Sequence, residues 1–311
     1  MLDQATASAP GKINLFFAVG PLLPDGFHSV ASVYQALDLR EAVSVTPSSE
    51  WNVSVAGALS EEQIAAVPTG EDNLVVRAVK LVAKLAGLPE AAAVSQLSIY
   101  KNVPVAGGMG GGSADAAAAM IAANELWACG LSTAQLTEAA VELGADVPFA
   151  LMGETAIGLG RGEKLTLVDR VAPLHWVLVV ADRGLSTPAV YKRLDELRAA
   201  RGEGPTKVSE AAVSAEFISA LQSGDVLRVA KAIKNDLQEA ALDLMPELAD
   251  TIAAGIAAGA LAGMVSGSGP TVAMLAEDEE SAERIANILA FQGLDAIAAT
   301  GPAAGATLAA N

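Results

Sequence analysis

Pro104-Val105-Ala106-Gly107-Gly108-Met109-Gly110-Gly111-Gly112-Ser113-Ala114-Asp115 sets five glycines in six positions directly ahead of an alanine-rich run. Glycine lets successive backbone N–H groups converge with no Cβ in the way, and a helix opening near Ser113 adds its own free N–H groups and dipole. Residues 96–100 alternate as a strand does, residues 101–104 turn, and residues 113–120 are strong helix formers. The stretch reads as strand, anion-binding loop, helix. It has no Gly-Lys-Ser/Thr ending, so it is not a Walker loop. Counting forward from Gly108 and Gly110 puts Ser113 where the dinucleotide fingerprint needs Gly or Ala. Taken alone, the glycines fit a packing or hinge device equally well.

Upstream, residues 13–19, 32–37 and 42–45 read as strands, with a loop rich in Pro, Asp and Gly at residues 21–26. Asp72 or Asn73 caps a helix that carries Leu74, Val75, Ala78, Val79, Val82 and Leu85 at helical spacing and closes at Gly87 and Pro89. Downstream come a helix over 133–143, a loop at Gly144-Ala145-Asp146-Val147-Pro148, and a β-rich passage through Ile157, Leu165 and Leu167. Residues 176–180 suit a buried strand and 192–203 an exposed helix. The remainder alternates helices over 214–222, 226–234 and 247–258 with strands at 264–265, 272–275 and 296–299. This pattern predicts an α+β protein of two domains, residues 1–168 and 169–311.

The chain has 311 residues, 52% apolar and 18% charged, enough to bury a large core. Nineteen Lys and Arg against 36 Asp and Glu give a net charge of −17, which repels nucleic acid and anionic lipid, so a polyanionic ligand must be held locally. The single cysteine, Cys129, allows no intramolecular disulfide and reads as a small buried hydrophobe. Residues 1–10 lack the basic and apolar regions of a secretory signal, and a cytoplasmic protein is expected. Residues 251–276 are uncharged, with Gly255, Gly259, Gly263 and Gly267 at four-residue spacing, but Ser266-Gly267-Ser268-Gly269-Pro270 breaks the helix. No membrane span is expected there.

Three ordered segments, Pro10-Gly11-Lys12-Ile13-Asn14-Leu15, the glycine loop, and Val265-Ser266-Gly267-Ser268-Gly269-Pro270-Thr271, resemble the galactokinase, homoserine kinase, mevalonate kinase and phosphomevalonate kinase (GHMP kinase) superfamily over residues 10–275. Within it, Asp25-Gly26-Phe27-His28 and Gly144-Ala145-Asp146-Val147-Pro148-Phe149 resemble the branch that phosphorylates a cytidine-diphosphate-linked methylerythritol on its C2 hydroxyl, in isoprenoid precursor synthesis. The resemblance implies an N-terminal domain like ribosomal protein S5 domain 2, a ferredoxin-like C-terminal domain, and a substrate cleft between them. It also implies ATP as co-substrate with Mg²⁺.

Carried over residue by residue, the catalytic pair is Lys12 and Asp146. A tertiary alcohol is a poor nucleophile, so a carboxylate to take its proton and an ammonium to offset charge on the reacting oxygens suit the chemistry. On the residues alone, Asp146 also fits an ordinary turn. Nucleotide contacts fall at Asn73, Leu74, Lys101, Pro104, Val105, Ala106, Gly107, Gly108, Met109, Gly110, Gly111, Gly112, Ser113 and Ala114. Ser113 is the candidate Mg²⁺ or phosphate contact, or equally a helix N-cap. Substrate contacts fall at Asn14, Phe27, His28, Tyr34, Thr187 and Tyr191, with Gly267 and Gly269 lining the cleft. Phe27 stands where the family more often has tyrosine, which keeps a stacking face and removes a hydroxyl. His175 is assigned to structure. The expected partner is one small molecule, with no nucleic acid or membrane, on a monomer or weak homodimer. A sister kinase acting on homoserine, mevalonate or a sugar, and a noncatalytic nucleotide sensor, are the competing readings.

Overall fold

The computed structural model describes residues 2–105, 107–181, 183–204 and 208–309. Ala106 lies outside the described residues. Strands β1 (Ala5–Leu22) and β2 (His28–Pro47) form one long antiparallel hairpin. The pairing jumps from Pro10↔Arg40 to Lys12↔Ala36, so β1 changes faces at Gly11. Before the jump, Ala5, Ala7 and Ala9 pack on the first core; after it, Ile13 and Leu15 pack on another, which turns Lys12 and Asn14 to the opposite face.

The chain continues through β3 (Asn52–Gly57), α1 (Glu61–Ala65), α2 (Leu74–Leu85), β4 (Ser95–Lys101), α3 (Gly111–Leu126), α4 (Thr133–Ala140), α5 (Val147–Met152), β5 (Thr155–Gly160) and β6 (Lys164–Leu167). Next come β7 (Leu174–Val180), α6 (Thr187–Ala200), α7 (Ala215–Ser223), α8 (Val226–Ala232), β8 (Lys234–Asn235), α9 (Gln238–Leu244) and α10 (Glu247–Ala258). The last elements are β9 (Ala262–Val265), β10 (Val272–Ala276), α11 (Glu279–Phe291), β11 (Asp295–Gly301) and β12 (Thr307–Leu308).

One sheet runs β12-β1-β2-β4-β3, with β5 continuing from β2 to β6 and β8 parallel to β1. The other is an antiparallel sheet in the order β11-β7-β10-β9, drawn wholly from residues beyond 173. Strands β8 and β12, though late in the chain, return to the first sheet. The first core lies between that sheet and α2 to α5. Its middle is α3, whose buried Ala114, Ala116, Ala117, Ala118 and Ala119 let β1, β2 and α2 approach closely. A second core lies under α6, α9, α10 and α11. A third joins the two sheets, where Trp176 of β7 donates to Gln35 Oε1 of β2 at 2.9 Å.

Several sequence expectations need correction. The strands expected at 32–37 and 42–45 are one, because Arg40 donates to Ser8 and to the carbonyls of Ala304 and Gly305, while Glu41 is buried against Lys101. The helix expected over 133–143 stops at Ala140, and α5 begins inside the loop expected at 144–148, with proline at its start where no N–H is required. Helices α9 and α11 were not anticipated. Helix α3 opens at Gly111 with Gly110 at the cap position, so Ser113 is not the N-cap. Cys129 is only partly buried. Among the described residues, no helix is long and apolar enough to cross a membrane.

Candidate active site

The glycine loop joins the end of β4 to the start of α3. Gly110 has φ +72°, a left-handed conformation that costs an L-residue roughly 1–2 kcal/mol. The loop and helix start line a cavity of about 320 Å³ together with Ala66, Val67, Pro68, Leu74, Lys101 and Asp115. Of the expected nucleotide contacts, Leu74, Lys101, Pro104, Val105, Gly107, Gly108, Met109, Gly110, Gly111, Gly112 and Ser113 line it. Asn73 does not. Its Oδ1 accepts from Val75 N at 2.9 Å and its amide donates to the Pro68 carbonyl, so it caps α2 and shapes the cavity wall from behind. Ala114 does not line it either, and its side chain is buried in the α3 core.

Lys101 lines this cavity but its ammonium is committed elsewhere. It contacts Glu41 Oε1 and donates to Asp115 Oδ2 at 2.7 Å, and all three side chains are at most 5% exposed. Glu41 Oε2 also accepts from Asn102 N at 2.8 Å. The triad therefore ties the strand entering the loop to the helix leaving it. A Cβ at Gly111 would lie 3.0 Å from Glu41 Oε1 and 3.3 Å from Lys101 Nζ, so a side chain there would press on the triad. Burial works against the Lys101 charge, but Asp115 and Glu41 hold its pKa above the ordinary value. Burial also raises Asp115.

Burial, then the Asp115 charge, lifts Glu41 from its ordinary 4.5 to about 7. A carboxyl raised by folding stabilises most below its unfolded value, and that contribution is lost as the pH climbs through the folded value. The stability of the native chain relative to Glu41→Gln is therefore expected to fall by on the order of 2 kcal/mol between about pH 5.5 and pH 8. Urea unfolding of both proteins at the two pH values measures it; an unchanged difference would contradict the assignment.

Lys12 and Asp146 meet across the loop. The Lys12 amide donates to the Met109 carbonyl at 2.9 Å, and its Cγ lies 3.3 Å from where a Gly110 Cβ would be. Its Nζ donates to Asn14 Oδ1 at 2.9 Å and stands 3.9 Å from Asp146 Oδ2. Asp146 occupies the N-cap position of α5, yet its side chain makes no capping bond, so the carboxylate is left for other work. Asn14 is 1% exposed: its amide nitrogen donates to Ser32 Oγ at 2.7 Å and its backbone N–H to Ser266 Oγ at 3.0 Å. It orients Lys12 and links β1 to the third motif.

Gly267 faces the Asn14 amide, and Gly269 presents its carbonyl to Gly108. Thr271 Oγ1 donates to the Gly107 carbonyl at 2.6 Å, so the third motif braces the glycine loop. Tyr34 is buried, packed on Phe149, with Lys12 Nζ 5.6 Å from its ring centre. Burial, then the Asp146 charge, pushes its phenol far above the ordinary range. It is a wall behind Lys12 rather than part of the larger cavity.

That cavity, about 620 Å³, is lined by Phe27, His28, Ala145, Thr187 and Tyr191, as well as Leu22, Gly26, Val30, Arg161, Pro188, Lys192 and Asp195. Ala145 sets it next to Asp146. The Arg161 guanidinium lies 3.9 Å from the Phe27 ring centre and pairs with Asp25 at 2.9 Å. Neither Arg161 nor Asp195 was anticipated. Asp195 had a local signal, since it follows Tyr191 by four residues on one helix and so shares its face. Arg161 had none, because a hairpin turn brings it to Phe27. His175 lies outside both cavities, with Nδ1 3.1 Å from Thr300 Oγ1.

A family model described as "GHMP kinases N terminal domain" matches residues 73–154, and one described as "GHMP kinases C terminal" matches residues 217–295. The 4-diphosphocytidyl-2-C-methyl-D-erythritol kinase of Pseudarthrobacter chlorophenolicus is 47% identical over 303 residues, covering 96% of this chain and 93% of its own. The chain belongs to the GHMP kinases. Among solved GHMP kinase structures, a 4-(cytidine 5'-diphospho)-2C-methyl-D-erythritol kinase superposes with a TM-score of 0.73 at 28% identity, over 95% of this chain and 98% of the other. Mevalonate kinase of L. major gives a TM-score of 0.75 at 17% identity, over 98% of each chain, a likeness of fold alone. Membership makes this chain a small-molecule kinase that uses ATP.

Proposed function

We infer that the chain transfers the γ-phosphoryl group of ATP to the C2 hydroxyl of 4-diphosphocytidyl-2-C-methyl-D-erythritol, giving the 2-phosphate and ADP, in the non-mevalonate route to isoprenoid precursors. One observation carries the reading. The Asp146 carboxylate, free of capping duty, stands 3.9 Å from an ammonium whose stem lies against the glycine loop, and Ala145 beside it belongs to an aromatic cavity sized for a nucleoside. A hydroxyl held between them loses its proton to Asp146 as its oxygen bonds the γ-phosphorus and the bond to ADP breaks. Lys12 offsets the charge that gathers on the transferred group.

Among the described residues, no cluster of three or more His, Cys, Asp or Glu forms a metal cage. Mg²⁺ shared with nucleotide phosphates needs only one or two protein oxygens, and Ser113 Oγ, lining the loop cavity and free of a capping role, fits that use. The ion would supply charge neutralisation at the phosphates. We further infer a cytoplasmic enzyme, monomeric or weakly dimeric, with no nucleic-acid or membrane partner.

The test is ADP release with four acceptors: the cytidine-diphosphate-linked methylerythritol, free methylerythritol, mevalonate and homoserine. Preference for any of the last three would overturn the substrate. In the same assay Tyr191→Ala is expected to raise KM for the cytidine substrate by about tenfold or more, since stacking on a base is worth roughly 1–3 kcal/mol, with KM for ATP unchanged. An equal rise in both constants would remove Tyr191 from the base site.

A further inference from the structure

The larger cavity contains a polar pair that phosphoryl transfer does not use. His28 opens β2 and is 7% exposed; its Nε2 lies 3.0 Å from Asp195 Oδ1 on α6. The Tyr191 ring, one helical turn before Asp195, stacks on the imidazole with centroids 5.2 Å apart and planes at 28°. Gripped on one face and tied at one nitrogen, the ring has little freedom to turn. A carboxylate only accepts hydrogen bonds, so Nε2 must carry the hydrogen. In the neutral ring, Nδ1 is then a bare lone pair, and no hydrogen bond to it is found among the described residues. Any base edge that meets this nitrogen has to present a donor. Cytosine offers its exocyclic amine; uracil offers a carbonyl oxygen at the same position.

We propose that Asp195 is a specificity-determining positioning residue: by holding His28 as the Nε2–H tautomer, it makes the cavity select an aminopyrimidine over an oxopyrimidine. The proposal rests on the cytidine reading of this cavity and supplies its physical cause. Asp195 touches no substrate in this role and acts only through His28. Its side chain is 40% exposed, so replacing it leaves the cores intact.

The chain has two histidines, His28 and His175, so ¹⁵N labelling of histidine in the full chain gives two rings to assign, and His175→Gln identifies which is which. In its neutral form the His28 ring is expected to show a protonated Nε2 and an unprotonated Nδ1. Asp195→Ala should lose that preference. Titrating CDP and UDP against the same resonances is expected to give CDP the tighter binding by about tenfold in the native chain, shrinking to within about threefold in Asp195→Ala. A His28 ring that is Nδ1-protonated or doubly protonated in the native chain overturns the proposal, as does a CDP preference that Asp195→Ala leaves intact. Neither readout needs turnover. A chain that shows the tautomer and the CDP preference but phosphorylates no cytidine acceptor would sink the proposed acceptor and leave this one standing.

Discussion

Asp146→Asn is expected to cut kcat by about a hundredfold or more while leaving KM for ATP within about twofold. Asparagine keeps the shape and an acceptor oxygen, so the cavity beside Ala145 and the start of α5 should survive. It cannot take a proton from the incoming alcohol. It also removes the charge that faces Lys12 at 3.9 Å, but Lys12 retains its bond to Asn14 at 2.9 Å and so keeps its place beside Gly110. The loss should therefore appear in the step that needs a base and not in nucleotide binding, which depends on the loop. The steady-state constants for both substrates, measured alongside a thermal melt to confirm folding, separate the two. Native turnover in this variant would take Asp146 out of proton transfer, and the hydroxyl would have to be activated by position alone.

The pair behind that prediction had no local trace in the sequence. Lys12 and Asp146 lie on β1 and before α5, and nothing in the spacing of either segment points to the other; only the resemblance of whole motifs relates them. Local chemistry did better where one element carries the information. The α2 periodicity is observed, and of the two expected caps, Asp72 and Asn73, the structure uses Asn73, because both features are written within a few neighbouring residues. The glycine loop was legible for the same reason. What it hid was its foundation: Glu41 comes from β2, Lys101 from β4 and Asp115 from α3, so only the sheet order brings them together. Asp115 did leave a sign, as a charge in the alanine-rich first half of a helix whose other charge, Glu125, lies ten residues on at the exposed end. The two-residue strands β8 and β12 left none, since they exist only as pairings with β1.

The same triad supports the second large effect, since Lys101→Met is expected to destabilise the fold by about 3–5 kcal/mol near neutral pH. Methionine fills the stem's volume but leaves two buried carboxylates facing each other with no cation between them. Both must then take up protons or stay charged at high cost, so the penalty should shrink as the pH is lowered toward 5.5 (roughly). Adding Glu41→Gln and Asp115→Asn removes the stranded charges and is expected to restore most of the loss, as happens when a buried ionic cluster is replaced as a unit rather than broken. Function should not recover with stability. The triad pins the entrance of the glycine loop through Asn102 and its exit through Asp115, so the triple variant, though folded, should show a raised KM for ATP with KM for the cytidine substrate near native. Urea unfolding and the two Michaelis constants report these separately. A cost for Lys101→Met below about 1 kcal/mol would mean that water or rearrangement relieves the carboxylates, and the cluster would then not be the buried brace its geometry describes.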